Sequence, residues 1–231
     1  MVFGVAARMG GMLLPSRLAE RITYADGALC AVLDEALVCH VGVVVDGEPH
    51  VLPTMHCRVE DRLYLHASTA SRMGLAARSA PMRVCVTVSI LDGLVLARSA
   101  FHHSLNYRSV VIHADAALVR DDEEKARVLA AFVERAGAGR SDQCRGPNAR
   151  ELAATAVLAV PLTGDGVDTA VKARTGPPVD DEADLALPHW AGVVPVQLVA
   201  AAPRPDGDGP VPSGLAPTLA HLDRPAPRDA S

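Results

Sequence analysis

The stretch SAFHHSLNYRSV, from Ser99 to Val110, concentrates groups that can do chemistry. Ser99 and Ser104 bring hydroxyls, His102 and His103 adjacent imidazoles, Asn106 an amide, Tyr107 a phenol and Arg108 a guanidinium, and Ser109 follows directly. Imidazoles can take or give a proton near neutral pH, and a guanidinium among hydroxyls can hold an anion. A second group lies upstream: His66, then Ser68, Thr69, Ser71 and Arg72. Hydroxyls and a cation at the start of a helix suit a phosphate, because free N–H groups and the helix dipole favour an anion there. The same residues also suit a plain hydroxyl cap beside a solvated arginine. His66 shares a strand face with Tyr64, where a histidine serves either packing or proton delivery. Pro53-Thr54 interrupts another strand, which marks that strand as an edge or a bulge.

The elements that must position these groups are legible in the apolar pattern. Asp26, Leu29, Val32, Leu33, Ala36 and Leu37 read as a capped amphipathic helix. Val38–Val45, His50–Val59 and Leu63–Ala67 read as strands joined by the tight turns DGEP and EDR, an antiparallel meander. Ser68–Ala80 reads as a helix. Met82–Leu91 and Leu94–Phe101 read as a hairpin turning at Asp92-Gly93, a strong short-range hairpin signal. Arg108–Val119 is the next strand, with the polar stretch before it as a loop able to fold over a ligand. A helix from Asp121 to Ala136 has Glu124 placed for a capping box, and Asn148 with Glu151 repeats that signal. Thr155–Leu162 and Gly192–Ala200 supply late strands. Seven or eight strands and three or four helices do not alternate as a parallel α/β sheet would. They predict a mainly β fold with helices, a closed or partly closed antiparallel barrel, because closure removes the edges of so apolar a sheet.

Composition narrows the function classes. Aromatics are only 3%, so Val, Leu and Ala must build the core. A net charge of -5 gives no basic footprint for nucleic acid, and no apolar run suits a bilayer. The five cysteines, Cys30, Cys39, Cys57, Cys85 and Cys144, form no CxxC pair and suit a reducing, cytoplasmic setting. Residues 1–20 read as an N-terminal segment and 21–202 as the domain. Residues 203–231 hold seven prolines and three glycines and read as a flexible tail.

PTMHCRVEDRLYLHASTASRM, DGLVLARSAFHHSLNYRSVVIHADA, VKARTGPPVDDEAD and LPHWAGVVPV together resemble the pyridoxamine 5'-phosphate oxidase-like, FMN-binding split-barrel superfamily. The branch they resemble most contains the 5-nitroimidazole reductases. The resemblance covers roughly Arg21 to Ala200. It implies that Pro53 and Thr54 lie beside an isoalloxazine ring. It also implies that Ser68, Ser71 and Arg72 hold the FMN phosphate, and that Asn106, Tyr107, Arg108 and Ser109 flank the flavin near a subunit interface. Lys172 and Trp190 are expected at the phosphate or ring edge, with Trp190 otherwise a core or interface anchor. The chain lacks the Trp-Arg pairing of true pyridoxamine phosphate oxidases, so that substrate is not expected.

The expected function is an FMN-dependent oxidoreductase, a homodimer reducing a small molecule such as a nitro compound. His66, His102 and His103 are its candidate proton donors. The chain carries no GxGxxG fingerprint, so NAD(P)H is expected only as a transient visitor to the flavin face. Two alternatives use the same barrel: a haem-binding protein ligated first by His102 or His103, and a non-catalytic flavin-binding module. An absorbance spectrum separates the three.

Overall fold

The computed structural model describes residues 7–9, 12–14, 22–23 and 26–208, with side chains from 27 onward. The segment from 209 to the end, most of the expected tail, lies outside the described residues, and 203–208 carry no strand or helix. The elements in chain order begin with β1 (Ala7–Met9), β2 (Met12–Leu14) and β3 (Ile22–Thr23). Then come α1 (Asp26–Glu35), β4 (Val38–Val45), β5 (Glu48–Val59), β6 (Arg62–Ser68) and α2 (Arg72–Ser79). The long pair β7 (Met82–Leu96) and β8 (Ser104–Leu118) precedes α3 (Asp122–Ala136) and α4 (Ala149–Ala154). β9 (Thr155–Pro161), β10 (Asp168–Arg174) and β11 (Gly192–Pro195) complete the sheet.

Six strands close on themselves in the order β7-β4-β5-β6-β9-β8, with β7 pairing back to β8. β11 extends the far half of β7, and β10 with β3 extends β8. The barrel is split at β5. Among the described residues its first half, Glu48 to Met55, pairs only with β4, and its second half, His56 to Val59, pairs with β6. Pro53 sits where β5 has one neighbour, the edge position that a residue without an N–H tolerates. Asp46 and Gly47 both take positive φ in the two-residue turn between β4 and β5, as the twist of a tight hairpin requires.

Leu63, Leu65, Val84, Val86, Val88, Val110, Ile112, Leu158 and Val160 face inward and fill the barrel. Leu29, Val32 and Leu33 of α1, with Met73 and Ala77 of α2, join that core. A second, smaller core lies where α3 covers β5, β6 and β9, built around Cys57, Tyr64, Val128, Phe132 and Val157. None of the five cysteines is in a disulfide, and no helix among the described residues is long and apolar enough to cross a membrane.

The structure corrects the expected hairpin at Asp92-Gly93: β7 runs unbroken through it, and the register against β8 shifts between Leu91 and Gly93. A bulge replaces the turn for two reasons. Asp92 is pulled aside by Arg108, and at Gly93 a Cβ would stand 3.0 Å from Val193 and 3.2 Å from the Val194 carbonyl oxygen. β8 begins at Ser104, so most of the polar stretch is strand rather than loop. Residues 100–102 form a short 3-10 turn. α2 starts at Arg72, four residues later than expected, because Ser68 and Ser71 form the turn and cap before it. β10 was not anticipated, and the last strand stops at Pro195.

Candidate functional site

The chain sets its reactive groups in two places. The first is a cleft of about 190 Å³ between the β4–β5 hairpin and the start of α2. It is lined by Val43, Val45, His50, Leu52, Ser71, Arg72 and Met73. Ser71 caps α2, its hydroxyl donating to the Ser68 carbonyl at 2.7 Å and accepting from the Gly74 N–H at 3.0 Å. Glycine is required at Gly74: a Cβ would fall 2.3 Å from the Ser68 carbonyl oxygen. The Ser68 hydroxyl accepts from the Ala70 N–H, and the Thr69 hydroxyl donates to the Ala154 carbonyl. The Arg72 guanidinium lies 3.4 Å from His50 Nε2. Among the described residues no carboxylate forms an ion pair with Arg72, which lines the cleft. His50 is the site residue that the sequence reading missed. Its signal was the β4–β5 register, which sets His50 opposite Val43.

The second place is the far end of β8. Ser109 stands opposite Ser89, whereas Thr87 stands opposite His40 and His50 opposite Val43. That register separates Ser109 from the cleft by about 15 Å along the strands. The expected site residues therefore do not converge within one chain. Arg108 is held by two carboxylates, Glu35 at 2.5 and 2.8 Å and Asp92 at 2.7 to 3.3 Å. These bonds raise its pKa well above the ordinary arginine value. Asn106 is buried; it donates to the Gly176 carbonyl at 3.1 Å and accepts from Arg174, which also reaches the Pro177 carbonyl. These two residues anchor the TGPP turn after β10. The Ser109 hydroxyl donates to the Lys172 carbonyl at 3.3 Å, and Tyr107 and Lys172 are half-buried.

His66 is exposed on the outer face of β6, its ring edge-on to Phe132 at 4.7 Å. Pro53 is exposed and Thr54 half-buried on the unpaired reach of β5. His103 Nδ1 donates to the Ser99 carbonyl at 2.9 Å, which leaves Nε2 as the nitrogen with a free lone pair. His102 Nε2 is instead 3.4 Å from Asp181. Around them the surface is apolar. Phe101 is 83% exposed, Trp190 64%, and Val194, Leu94 and Leu105 form an exposed row across β11, β7 and β8. Trp190 is thus no core residue; its ring lies over Gly192, where a Cβ would stand 2.8 Å from it. Among the described residues no cluster of three or more His, Cys, Asp or Glu is arranged to hold a metal ion.

The structure is thus a closed β barrel split along one strand, with a cation and hydroxyls at the helix beside the split. The model of the family described as pyridoxamine 5'-phosphate oxidase matches residues 25–164. The chain belongs to this family. Two solved structures are similar over most of their length. One is the flavocytochrome Anf3 from Azotobacter vinelandii: 38% identity, 87% of this chain and 94% of that one, TM-score 0.79. The other is a FAD and haem binding protein from Mycobacterium smegmatis: 32% identity, 87% of this chain and 97% of that one, TM-score 0.77. A 5-nitroimidazole antibiotic resistance protein from Bacteroides thetaiotaomicron shares 21% identity at a TM-score of 0.51, covering 65% of this chain and 86% of that one. That is a likeness of fold alone. No protein of curated function matches the chain.

Proposed function

We propose that this protein holds a flavin nucleotide and a haem, and carries electrons from a reductant to a small oxidised acceptor. The observation that carries the reading is the pair of relatives above 30% identity, each matched over more than nine-tenths of its length, one a flavocytochrome and the other a FAD and haem binding protein. The cleft fits the anionic half of a flavin: Arg72 is a cation without a carboxylate partner among the described residues, beside hydroxyls at a helix start. Val43, Val45 and Leu52 give that cleft an apolar wall. FAD replaces the expected FMN in this proposal, following the Mycobacterium smegmatis relative.

The exposed apolar row beside His103 fits a macrocycle, and His103, its Nδ1 donating to the Ser99 carbonyl, would hold the haem through Nε2. Flavin and haem would supply two-electron and one-electron chemistry respectively. This chain's part is to hold both, shield them and deliver protons. His50 is the imidazole nearest the cleft and takes the proton-donor role ahead of His66. Because one chain leaves its cleft and its polar strand end apart, we infer a two-fold pair that buries the exposed valines of the β4–β5 arm, Val38, Val44 and Val51.

An absorbance spectrum of the purified protein, with chromatography of the flavin released on denaturation, tests the reading. Flavin bands with a Soret band and released FAD are expected. Flavin bands alone with released FMN would return the account to an FMN reductase, to be assayed with NAD(P)H and a nitro compound. Neither chromophore would refute both.

A further inference from the structure

His102 and His103 leave one short turn, and what holds that turn comes from far along the chain. The Ser99 carbonyl accepts from the His102 N–H at 3.3 Å and from His103 Nδ1 at 2.9 Å, so one oxygen gathers both histidines. The buried Ser99 hydroxyl has no hydrogen-bond partner among the described residues, so the residue is held through its backbone. Asp180 meets that backbone. Its carboxylate accepts from the Arg98 N–H at 2.9 Å and from the Arg98 guanidinium at 3.0 Å, with the Ser99 N–H beside it. The Asp180 side chain is 1% exposed. That of Asp181 is 78% exposed and lies 3.4 Å from the His102 ring.

A carboxylate taken out of water must find donors, because an unpaired buried charge is costly. Here the donors belong to the residues that lead into the histidine turn, so satisfying Asp180 and placing Ser99 are one event. The segment that carries Asp180 is itself anchored on both sides. Before it, Asn106 and Arg174 donate to the Gly176 carbonyl at 3.1 and 3.3 Å, and Arg174 to the Pro177 carbonyl at 3.1 Å. After it, the Asp184 N–H closes on the Asp181 carbonyl at 2.9 Å.

We propose that Asp180 is a positioning residue for His103: it fixes the Ser99 carbonyl, and through that oxygen the imidazole tautomer with its hydrogen on Nδ1. A carbonyl oxygen only accepts, so the ring nitrogen facing it must carry the hydrogen. The other nitrogen, Nε2, is then the one that can bind a metal. His103 is exposed, so a ring released from Ser99 has water at both nitrogens and nothing to select one tautomer. That a haem uses Nε2 rests on the function proposed above; the tautomer does not.

The test is nitrogen-15 NMR of the imidazoles in the full-length protein free of haem, at about pH 8, where an ordinary imidazole is neutral, followed by haem titration. Wild type is expected to show His103 as a single Nδ1–H tautomer. Asp180→Asn keeps the size and removes the charge. It is expected to give a mixture of tautomers and a haem affinity about 10–100-fold lower, the usual effect of losing a group behind a metal ligand. Asp181→Asn is expected to match wild type in both, and flavin affinity to stay level in all three proteins. A wild-type His103 with its hydrogen on Nε2 would overturn the proposal without any variant. So would an Asp180→Asn protein that keeps the wild-type tautomer, or equal losses in the two variants. A tautomer that follows Asp180 in a protein that binds no haem would uphold the positioning and sink the haem reading, so the two fail separately.

Discussion

Arg72 and His103 are the two residues on which the cofactor reading turns, and each has a neighbour that makes a control. Arg72→Ala removes a cation that lies 3.4 Å from His50 and forms no ion pair among the described residues. Losing a charge-assisted hydrogen bond costs about 1.5–3 kcal/mol, one to two decades in affinity. Titration should show weaker binding of FAD or FMN with riboflavin nearly unaffected; equal losses would clear Arg72 of any phosphate. His103→Ala should abolish the Soret band, and His102→Ala, whose Nε2 faces Asp181, should retain it. The opposite pattern would exchange the two assignments. Sequence alone could not rank these histidines, because the ranking depends on one backbone carbonyl, that of Ser99, four residues away. It likewise gave Arg108 an open guanidinium, since neither Glu35 nor Asp92 is near it in the chain.

At the scale of elements, the joint between α1 and the barrel is the most exposed to solution conditions. The last turn of α1 leaves its carbonyls unpaired, and they are met from outside: Leu33 by His56 Nε2 at 2.9 Å and by Arg135 at 2.7 Å, Asp34 and Ala36 by Arg135. Burial, and secondarily the nearby Arg135, lowers the His56 pKa from 6.5 to about 4. The unfolded chain therefore binds a proton as pH falls through 6.5, while the folded chain does not until about 4. His56 contributes no pH dependence above 6.5, and stability is lost between 6.5 and 4, by roughly 3 kcal/mol at the full shift. Urea midpoints measured across that window should fall in wild type and fall less in His56→Gln. Arg108 ties the end of α1 to the β7 bulge. Arg108→Met, which leaves Glu35 and Asp92 without their shared cation, should cost about 2 kcal/mol, discounted from a fully buried pair because the side chains are partly exposed.

Local signals served well where they acted alone. β4 spans the expected Val38–Val45, and the Asn148–Glu151 capping box is present in full. They failed where a distant partner competed. Asp92-Gly93 has hairpin chemistry, but Arg108 and β11 hold it straight. Glu124, placed for a box, accepts from Tyr64 at 2.9 Å instead. β10 escaped notice because DTAVKAR takes its strand character from β8, not from its own apolar pattern.

For the whole molecule, the unpaired reach of β5 is the liability. Val44 and Val51 are 65% and 66% exposed beside a strand edge with no partner among the described residues, which invites another chain. Sedimentation should therefore give a dimer at micromolar concentration, and charged substitutions at both valines should shift it toward monomer. A monomer with cofactor bound would remove the two-fold pair from the account. Closure of the barrel has a different consequence, in time. The ring is completed only when β9 slots between β6 and β8, bringing Leu63 against Val160 across much of the chain. The β4–β5 and β7–β8 pairs need only short loops, so they can form early and cheaply. The β9 closure must await a large loss of chain entropy before any pairing rewards it. Refolding should accordingly show the β7–β8 amides protected from hydrogen exchange before those of β6 and β9, with the docking of β9 setting the rate at which the chain becomes native.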